Sequence, residues 1–144
     1  MNQRTKQKSK SNFKSVFIVD PVKGDRLHLA KLLKQEKLFI MTFLNLSDCF
    51  KHNNPIKPDL LVYVLREGKN SLTHMKSIKS DLKRLHFILL LTSEVSEANL
   101  EELKESGFTS IQKAVNQDKV KELIYTMMPE CQITEEKDPL LNVT

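Results

Sequence analysis

The sequence predicts an α/β domain with a doubly wound, five-stranded parallel sheet. Leu60–Leu65 is an unbroken apolar run between turn-forming residues, which is typical of a strand covered on both faces rather than on one. Strand-like and helix-like segments alternate five times between residues 15 and 128. This order favours parallel strands joined by right-handed helical crossovers. The length of 144 residues fits a single domain.

The first strand is predicted at Ser15–Asp20, a short apolar run that ends in an acid. Pro21 follows and suits a loop or the first turn of a helix, because proline lacks a backbone N–H donor. Leucines and an alanine then recur at helical spacing up to about Lys37, which predicts an amphipathic helix.

The second strand is predicted at Phe39–Leu44, a segment of β-forming residues that we expect near an edge of the sheet. Ser47–His52 is predicted as a short helix with Ser47 as its N-cap. A turn with two prolines then leads into the strand Leu60–Leu65.

The second half of the chain continues this alternation. Apolar residues at steps of three or four predict an amphipathic helix over residues 70–84. The fourth strand is predicted at Phe87–Ser93, and a polar helix at residues 96–106 with Gly107 as its C-terminal cap. Thr109–Lys113 is predicted as a weak last strand.

The last helix is predicted to follow Asn116, its N-cap, and to end at Pro129. Its apolar residues fall at i, i+3, i+4, i+7 and i+8, which indicates one buried face. These residues are Val120, Leu123, Ile124, Met127 and Met128.

The charge of the chain is concentrated at its ends. The formal net charge is +5, and residues 1–14 hold five basic and no acidic side chains, so residues 15–144 are neutral overall. We predict a disordered basic tail at 1–14, a folded domain at 15–128 and a loose acidic tail at 129–144. A basic arm can contact nucleic acid or acidic lipid without specificity, and a solubilising tail is the simpler interpretation.

Several classes of protein are disfavoured by composition. No stretch is apolar for long enough to span a bilayer, and the polar N-terminus lacks the apolar core of a signal peptide. Cys49 and Cys131 form no CxxC or Cys/His cluster, which suits a reducing cytoplasm. No two of the four histidines have a metal-ligand spacing such as HxxxH.

The ends of the predicted strands define a candidate site. In open parallel sheets the ligand crevice lies at the carboxyl ends of the strands. Those ends carry Asp20, Val64, Thr92 and the region of Lys113. An acid, a hydroxyl and a lysine around one crevice are groups suited to a phosphoryl group and a divalent cation.

A set of short motifs occurs along the chain from about residue 16 to residue 128. They are FIVD ending at Asp20 with Arg26 six residues on, the PDLLVYV strand, ILLLTS ending at Thr92-Ser93, then Gly107 and Lys113. In this order they resemble a stand-alone receiver domain of bacterial two-component response regulators. The resemblance implies a (βα)5 flavodoxin-like fold and a role in phosphorelay signal transduction.

In that family the tip of the third strand carries an aspartate that a histidine kinase phosphorylates. Counted from Pro58-Asp59, the equivalent position is Val64, whose side chain has no nucleophilic oxygen to form an acyl phosphate. Asp59 lies five residues back at ~3.3 Å per residue, at the opposite end of the strand. Glu67 lies just beyond the crevice, on a loop whose geometry the sequence does not fix.

The magnesium site that the resemblance implies is also altered. The family usually has two acids at the end of the first strand, and here the second place is Pro21. Magnesium prefers near-octahedral oxygen ligands, typically carboxylates, phosphate and water. Asp20 alone is expected to bind Mg²⁺ poorly, so we predict no cofactor.

Thr92 and Lys113 match the switch threonine and the phosphate-pairing lysine of the family. The match of Lys113 requires one missing residue after Gly107, and the usual aromatic residue of the last strand is absent. With Asp20 they are interpreted as a vestigial receiver site without a catalytic residue. The alternative is a threonine that begins a turn, a solvated lysine and a carboxylate bonded to loop N–H groups.

The first functional hypothesis is a pseudo-receiver, a non-enzymatic module that binds another signalling protein without control by aspartyl phosphorylation. Its partner would be a histidine kinase, a regulator or a second copy of the chain. The resemblance implies a binding face on the fourth helix, last strand and fifth helix. The residues of this face would be Leu100, Lys104, Ile111, Lys121, Glu122 and Tyr125.

Two other hypotheses belong to different classes. A phosphoryl-accepting response regulator of a phosphorelay would need an acid that these motifs do not supply. A weak, nonspecific nucleic-acid binder would use the basic arm, but no helix-turn-helix or RNA-binding aromatic motif accompanies it. Specific nucleic-acid binding and membrane insertion are not expected, and no glycine-rich loop predicts a nucleotide or flavin.

Overall fold

The computed structural model describes residues 13–51, 54–92 and 100–129. Within these ranges five strands form one parallel sheet in the order β2-β1-β3-β4-β5. The strands are β1 (Lys14–Val19), β2 (Leu38–Phe43), β3 (Leu60–Leu65), β4 (His86–Leu91) and β5 (Ser110–Ala114). The predicted doubly wound (βα)5 flavodoxin-like fold is confirmed, and β2 lies at an edge of the sheet as expected.

Five α-helices and one 3-10 helix occur in the described ranges. They are α1 (Lys23–Leu33), α2 (Leu46–Cys49), α3 (Leu72–Lys76), the 3-10 helix Ser80–Arg84, α4 (Leu100–Glu105) and α5 (Gln117–Met127). None of these helices is long and apolar enough to cross a membrane. The predicted start of the fourth helix falls in residues 93–99, outside the described residues, as do nearly all of the two predicted tails.

The central strand β3 is buried at all six positions. Its side chains alternate between two cores, because successive residues of a strand point to opposite faces. Val62 and Val64 belong to the upper core, between the sheet and helices α1 and α5. Leu61 and Tyr63 belong to the lower core, between the sheet and helices α2, α3 and α4. The unbroken apolar run therefore reflects a sheet covered on both faces.

Two predicted helix ends agree with the structure. The Asn116 side chain accepts a hydrogen bond from the Lys119 backbone N–H at 2.8 Å, which caps the start of α5. Gly107 follows α4 with a φ of 114°, a conformation that a residue with a side chain adopts only with strain. At both positions the residue type that the sequence offers, a capping asparagine and a glycine, is the one that the helix end requires.

The prediction of one helix over residues 70–84 is wrong. The chain instead forms the short helix α3 and a separate 3-10 helix. The Ser77 hydroxyl donates to the His74 carbonyl at 2.7 Å, and hydrogen bonds from Ser77 and Ile78 reach back only three residues. Such side-chain bonds compete with a continuing α-helix. Met75 and Ile78 are still buried, so the apolar spacing is satisfied by a bent chain.

The predicted N-cap of the short helix α2 is also wrong. Asn45, rather than Ser47, caps it: the Asn45 Oδ1 atom accepts from the Asp48 N–H at 3.0 Å. Ser47 lies inside the helix and donates its hydroxyl to the same oxygen at 2.8 Å. The helix ends at Cys49.

All five strands end at the same edge of the sheet, which we call the carboxyl edge. The register pairs Val19 with Tyr63, so Asp20 lies level with Val64. Val64 in turn pairs with Leu90, and Leu90 with Ala114. Asp20, Val64, Leu90 and Ala114 therefore lie in one row across the sheet, and the candidate site is at this row.

Candidate functional site

A cavity of about 750 Å³ opens at the carboxyl edge. Asp20, Val64 and Thr92 all line it, together with Arg66 and Asn116. Three of the predicted site residues are therefore brought together. The predicted fourth, Lys113, does not line this cavity.

Asp20 is the charged residue at the base of the site, and only 1% of it is exposed. It follows β1, and its Oδ1 atom accepts a hydrogen bond from the Val22 N–H at 3.0 Å. This is the local loop bond expected for an aspartate at a turn. A buried carboxylate also needs a charged partner, because removal from water is costly.

Arg66 is that partner. Its Nε atom donates to Asp20 Oδ1 at 2.6 Å and its Nη2 atom donates to Asp20 Oδ2 at 3.0 Å. The same Nη2 atom donates to Asp25 Oδ2 at 2.8 Å. Two parallel bonds between a guanidinium and a carboxylate form the strongest common type of ion pair. Both oxygens of the buried acid are thus bonded to the protein's own cation.

The electrostatics of the pair keep Arg66 charged. Its hydrogen bond with Asp20 raises the pKa of the Arg66 guanidinium above its ordinary value. The negative charges of Asp20 and Asp25 act in the same direction, and together they outweigh the effect of burial, which lowers it. The Arg66 side chain is 15% exposed, so this cation is partly shielded from water.

Asn70 holds the loop that presents Arg66. Its Oδ1 atom accepts from the Arg66 N–H at 2.8 Å, and its Nδ2 atom donates to the Val64 carbonyl at 2.9 Å. Gly68 lies between them with a φ of 81°, which suits a tight turn. The loop after β3 is therefore fixed by one amide side chain.

Arg26, which belongs to the sequence motif, also contacts this region. Its Nη1 atom donates to the Asp20 backbone carbonyl at 2.9 Å. Its Nε atom is buried and has no hydrogen-bond partner among the described residues. Two arginines thus flank Asp20, one on its carboxylate and one on its carbonyl.

Thr92 lies at the end of β4, where the sequence predicts it. Its hydroxyl donates to the Leu65 carbonyl at 2.9 Å. This bond links the ends of β4 and β3 across the carboxyl edge.

Lys113 lies in a different part of the molecule. Ala114 is level with Val64, whereas Lys113 pairs with Leu89, one residue further back. Because side chains alternate along a strand, Lys113 falls on the other face of the sheet. It is exposed and lines a separate cavity of about 530 Å³ with Leu100 and Lys104.

The residues predicted for an interface are distributed over this region and α5. Ile111 lines the same cavity but is only 4% exposed and belongs to the lower core. Lys121 and Glu122 are exposed on α5. The Tyr125 hydroxyl donates to Gln35 Oε1 at 2.8 Å, which directs this side chain towards the end of α1.

The residues at the carboxyl edge do not fit a magnesium ion. Both Asp20 oxygens are bonded to Arg66, and neither Pro21 nor Val64 has a side-chain oxygen. Glu67 is exposed and does not line the cavity. In the described residues no group of three His, Cys, Asp or Glu side chains is placed to hold a metal. A divalent cation would have to displace a guanidinium from a buried carboxylate.

Sequence reasoning missed Arg66, Asp25 and Asn70. Arg66 stands two residues after Val64, on the loop that leaves the strand predicted to carry the site. A basic residue two positions beyond Val64, which is itself level with the lone acid Asp20, was a usable signal. The bond of Asn70 had no comparable signal, because it depends on the turn around Gly68.

The fold matches that of a response regulator from Thermotoga maritima, known from a crystal structure, with a TM-score of 0.58. The match covers 81% of this chain and 98% of that chain at 16% sequence identity. At this identity the likeness establishes a receiver-type fold and nothing about the reaction. No protein-family model matches the chain, and no curated protein matches it.

Proposed function

We propose that this chain is a receiver-like signalling module that binds another protein and is not controlled by aspartyl phosphorylation. The observation that carries the proposal is the two-bond ion pair between Arg66 and buried Asp20. It places a fixed side-chain cation on the carboxylate that a receiver would use for magnesium. The receiver-type fold supports the signalling role.

The acceptor position supports the same conclusion. Val64 is 1% exposed and packs in the upper core. Its side chain offers no oxygen for transfer of a phosphoryl group. Loss of the acceptor, of the second acid and of accessible Asp20 oxygens removes three separate requirements of that reaction.

The face of α4, β5 and α5 is the proposed partner surface. The exposed side chains of Lys104 and Lys113 border its cavity of about 530 Å³, and Leu100 contributes apolar area. Lys121 and Glu122 extend the surface onto α5. This mixture of charge and limited apolar area suits a transient contact with another signalling protein.

Incubation with acetyl phosphate and magnesium, followed by intact-mass measurement, tests the proposal. We expect no mass change for the wild-type chain. A stable gain of one phosphoryl group would contradict the proposal and favour a phosphoryl-accepting regulator.

Two variants locate the cause. Val64→Asp alone should remain unmodified, since Arg66 would pair with the new carboxylate as it does with Asp20. The triple variant Pro21→Asp, Val64→Asp, Arg66→Met restores two acids and an acceptor and removes the cation, so it should gain modification. Equal modification of the single and triple variants would show that Arg66 does not block the site.

A further inference from the structure

A groove on the lower side of the sheet has no role in the proposed function. It lies between α2 and the segment formed by α3 and the 3-10 helix, and its volume is about 690 Å³. Its apolar lining residues are Leu46, Phe50, Ile56, Pro58, Ile78 and Leu82. A groove of this volume is large enough for several side chains of a bound peptide.

The rim of this groove is positively charged. Lys51, Lys57 and Lys79 line it and are exposed, and Asp81 is the single acid among its described lining residues. Lys51 also contacts Asp48 at 3.3 Å. A positive rim around an apolar floor favours an occupant that is acidic and carries apolar side chains.

The chain leaves the fold close to this groove. Met128 is buried after α5 and lines a small cavity of about 190 Å³ at the amino edge of the sheet. The same two stretches of chain border both cavities: Lys57 and Leu82 line the groove, whereas Asp59 and Leu85 line the small cavity. Neighbouring Cα atoms are ~3.8 Å apart, and the residues beside Met128 are one to three positions from residues of the groove. A few residues of chain after Met128 are therefore enough to reach the groove.

The sequence beyond the exit has the required character. It continues for 15 residues after Pro129 with four acids and one lysine, and it includes Ile133 and the pair Leu140-Leu141. Fully extended, 15 residues span up to ~50 Å. This is several times the ~10 Å diameter of one helix, so the segment is long enough to run along a groove between two helical segments. The basic arm at residues 1–12 leads into the same edge at Lys14, but its charge would be repelled by the lysine rim.

We propose that segment 130–144 occupies this groove, with its acids against the lysines and its apolar side chains on the apolar floor. Exposed ion pairs are weak individually. A tethered segment, however, has an effective concentration in the millimolar range, so weak contacts suffice. The segment then acts as an intramolecular ligand, and a separate acidic partner would have to displace it. This inference does not depend on the phosphorylation state of the carboxyl edge.

A spin label near the end of the segment tests this contact in the full chain. Asn142→Cys with Cys131→Ser gives one reactive thiol, because Cys49 is 2% exposed and its burial raises the pKa of the thiol. We expect paramagnetic broadening of the amide signals of Lys57 and residues 77–82, and not of Lys31 on the opposite face.

Charge reversal supplies the matched control. Lys57→Glu with Lys79→Glu should abolish the broadening, and Glu135→Lys with Glu136→Lys in the same chain should restore it. Lys31→Glu in the last turn of α1, with Lys34→Glu directly after it, reverses equal charge on the opposite face and should leave the broadening unchanged. Deletion of residues 130–144 should shift the groove signals. Absent or uniform broadening, or unshifted groove signals after the deletion, would overturn the proposal.

Discussion

Two of the cavities formed by the described residues are similar in volume but differ in how their polar groups are used. The carboxyl-edge cavity is about 750 Å³ and the groove beside α2 is about 690 Å³. In the first, Arg66 donates hydrogen bonds to both Asp20 and Asp25, all three of them at 3.0 Å or less. In the second, an apolar floor is bordered by exposed lysines.

This difference separates the position where the fold favours a ligand from the position where this chain leaves room for one. The carboxyl edge is where an open parallel sheet normally holds its ligand, yet there the protein's own side chains satisfy one another. The groove is not a position that the topology favours, yet its floor and rim are available to an occupant. We therefore expect changes at the carboxyl edge to alter stability, and changes at the groove rim to alter binding.

The largest loss of stability is expected for Arg66→Met. It leaves the buried Asp20 carboxylate without the cation bonded to both its oxygens, and breaking a buried pair in this way typically costs about 3–5 kcal/mol. Urea unfolding followed by circular dichroism measures the loss. Arg66→Lys keeps the charge but not the two-bond geometry, so its loss should be smaller.

The double variant Asp20→Asn, Arg66→Met provides the control for this prediction. Because it removes both charges, it should recover part of the stability lost in Arg66→Met. A loss below about 1 kcal/mol for Arg66→Met, the range of an exposed pair, would mean that the ion pair does not hold the carboxyl edge together.

A pH-dependent loss is expected from Tyr63, which lies near the groove. Its hydroxyl donates to the Ser71 carbonyl at 3.0 Å, and burial raises the pKa of Tyr63 to about 12, from about 10 in the unfolded chain. The folded protein therefore keeps this proton at pH values where the unfolded chain has lost it. The stabilisation from this protonated hydroxyl is complete below pH 10 and falls by roughly 3 kcal/mol as the pH rises to 12.

Unfolding curves of the wild type and Tyr63→Phe between pH 9 and 12 isolate this contribution from other titrating groups. The difference in unfolding free energy between the two chains should change steadily above about pH 10. A constant difference across that range would show that the Tyr63 phenol titrates equally in both states.

A moderate loss is expected for Asn70→Ala at the carboxyl edge. The change removes the bonds to the Arg66 N–H and the Val64 carbonyl and leaves partly buried backbone groups unpaired. Such losses cost about 1–3 kcal/mol. Thermal unfolding measures the effect, with Lys69→Ala on the same loop as an exposed control. Equal effects of the two changes would argue that the Asn70 side chain does not hold the loop after β3 in place.

The smallest effect is expected for Asp25→Asn. Its side chain is 57% exposed, so its pair with Arg66 is screened by water and should contribute no more than about 1 kcal/mol. The same unfolding assay applies, and raised salt should reduce the difference. A loss as large as that of Arg66→Met would place the main counter-charge at Asp25 instead of Asp20.

The fold was predictable because its signals are local and repeated. The buried run of β3 and the cap at Asn116 depend only on neighbouring residues. The break after α3 was not predictable from apolar spacing, because Met75 and Ile78 are both buried even though the helix ends between them. The Ser77 hydroxyl bonds to the His74 carbonyl at this break.

The candidate site was predictable in part for a similar reason. Asp20, Val64 and Thr92 converge because strand ends converge in a parallel sheet. The position of Lys113 depends on the register of β5. A shift of one residue in that register moves its side chain to the other face of the sheet. The pairing of Arg66 with Asp20 joins residues 46 apart, so it could be inferred only from the convergence of the strand ends and not from neighbouring residues.

The shared position of the two ends of the described fold has a practical consequence. Lys14 and Met128 line the same cavity of about 190 Å³ at the amino edge, and Arg66 lies at the other edge. Ends this close allow the backbone to be joined by a short linker and reopened elsewhere. If the joined, circular backbone were cut beside Gly68, the loop that holds Arg66 would be free while every strand of the sheet stayed intact.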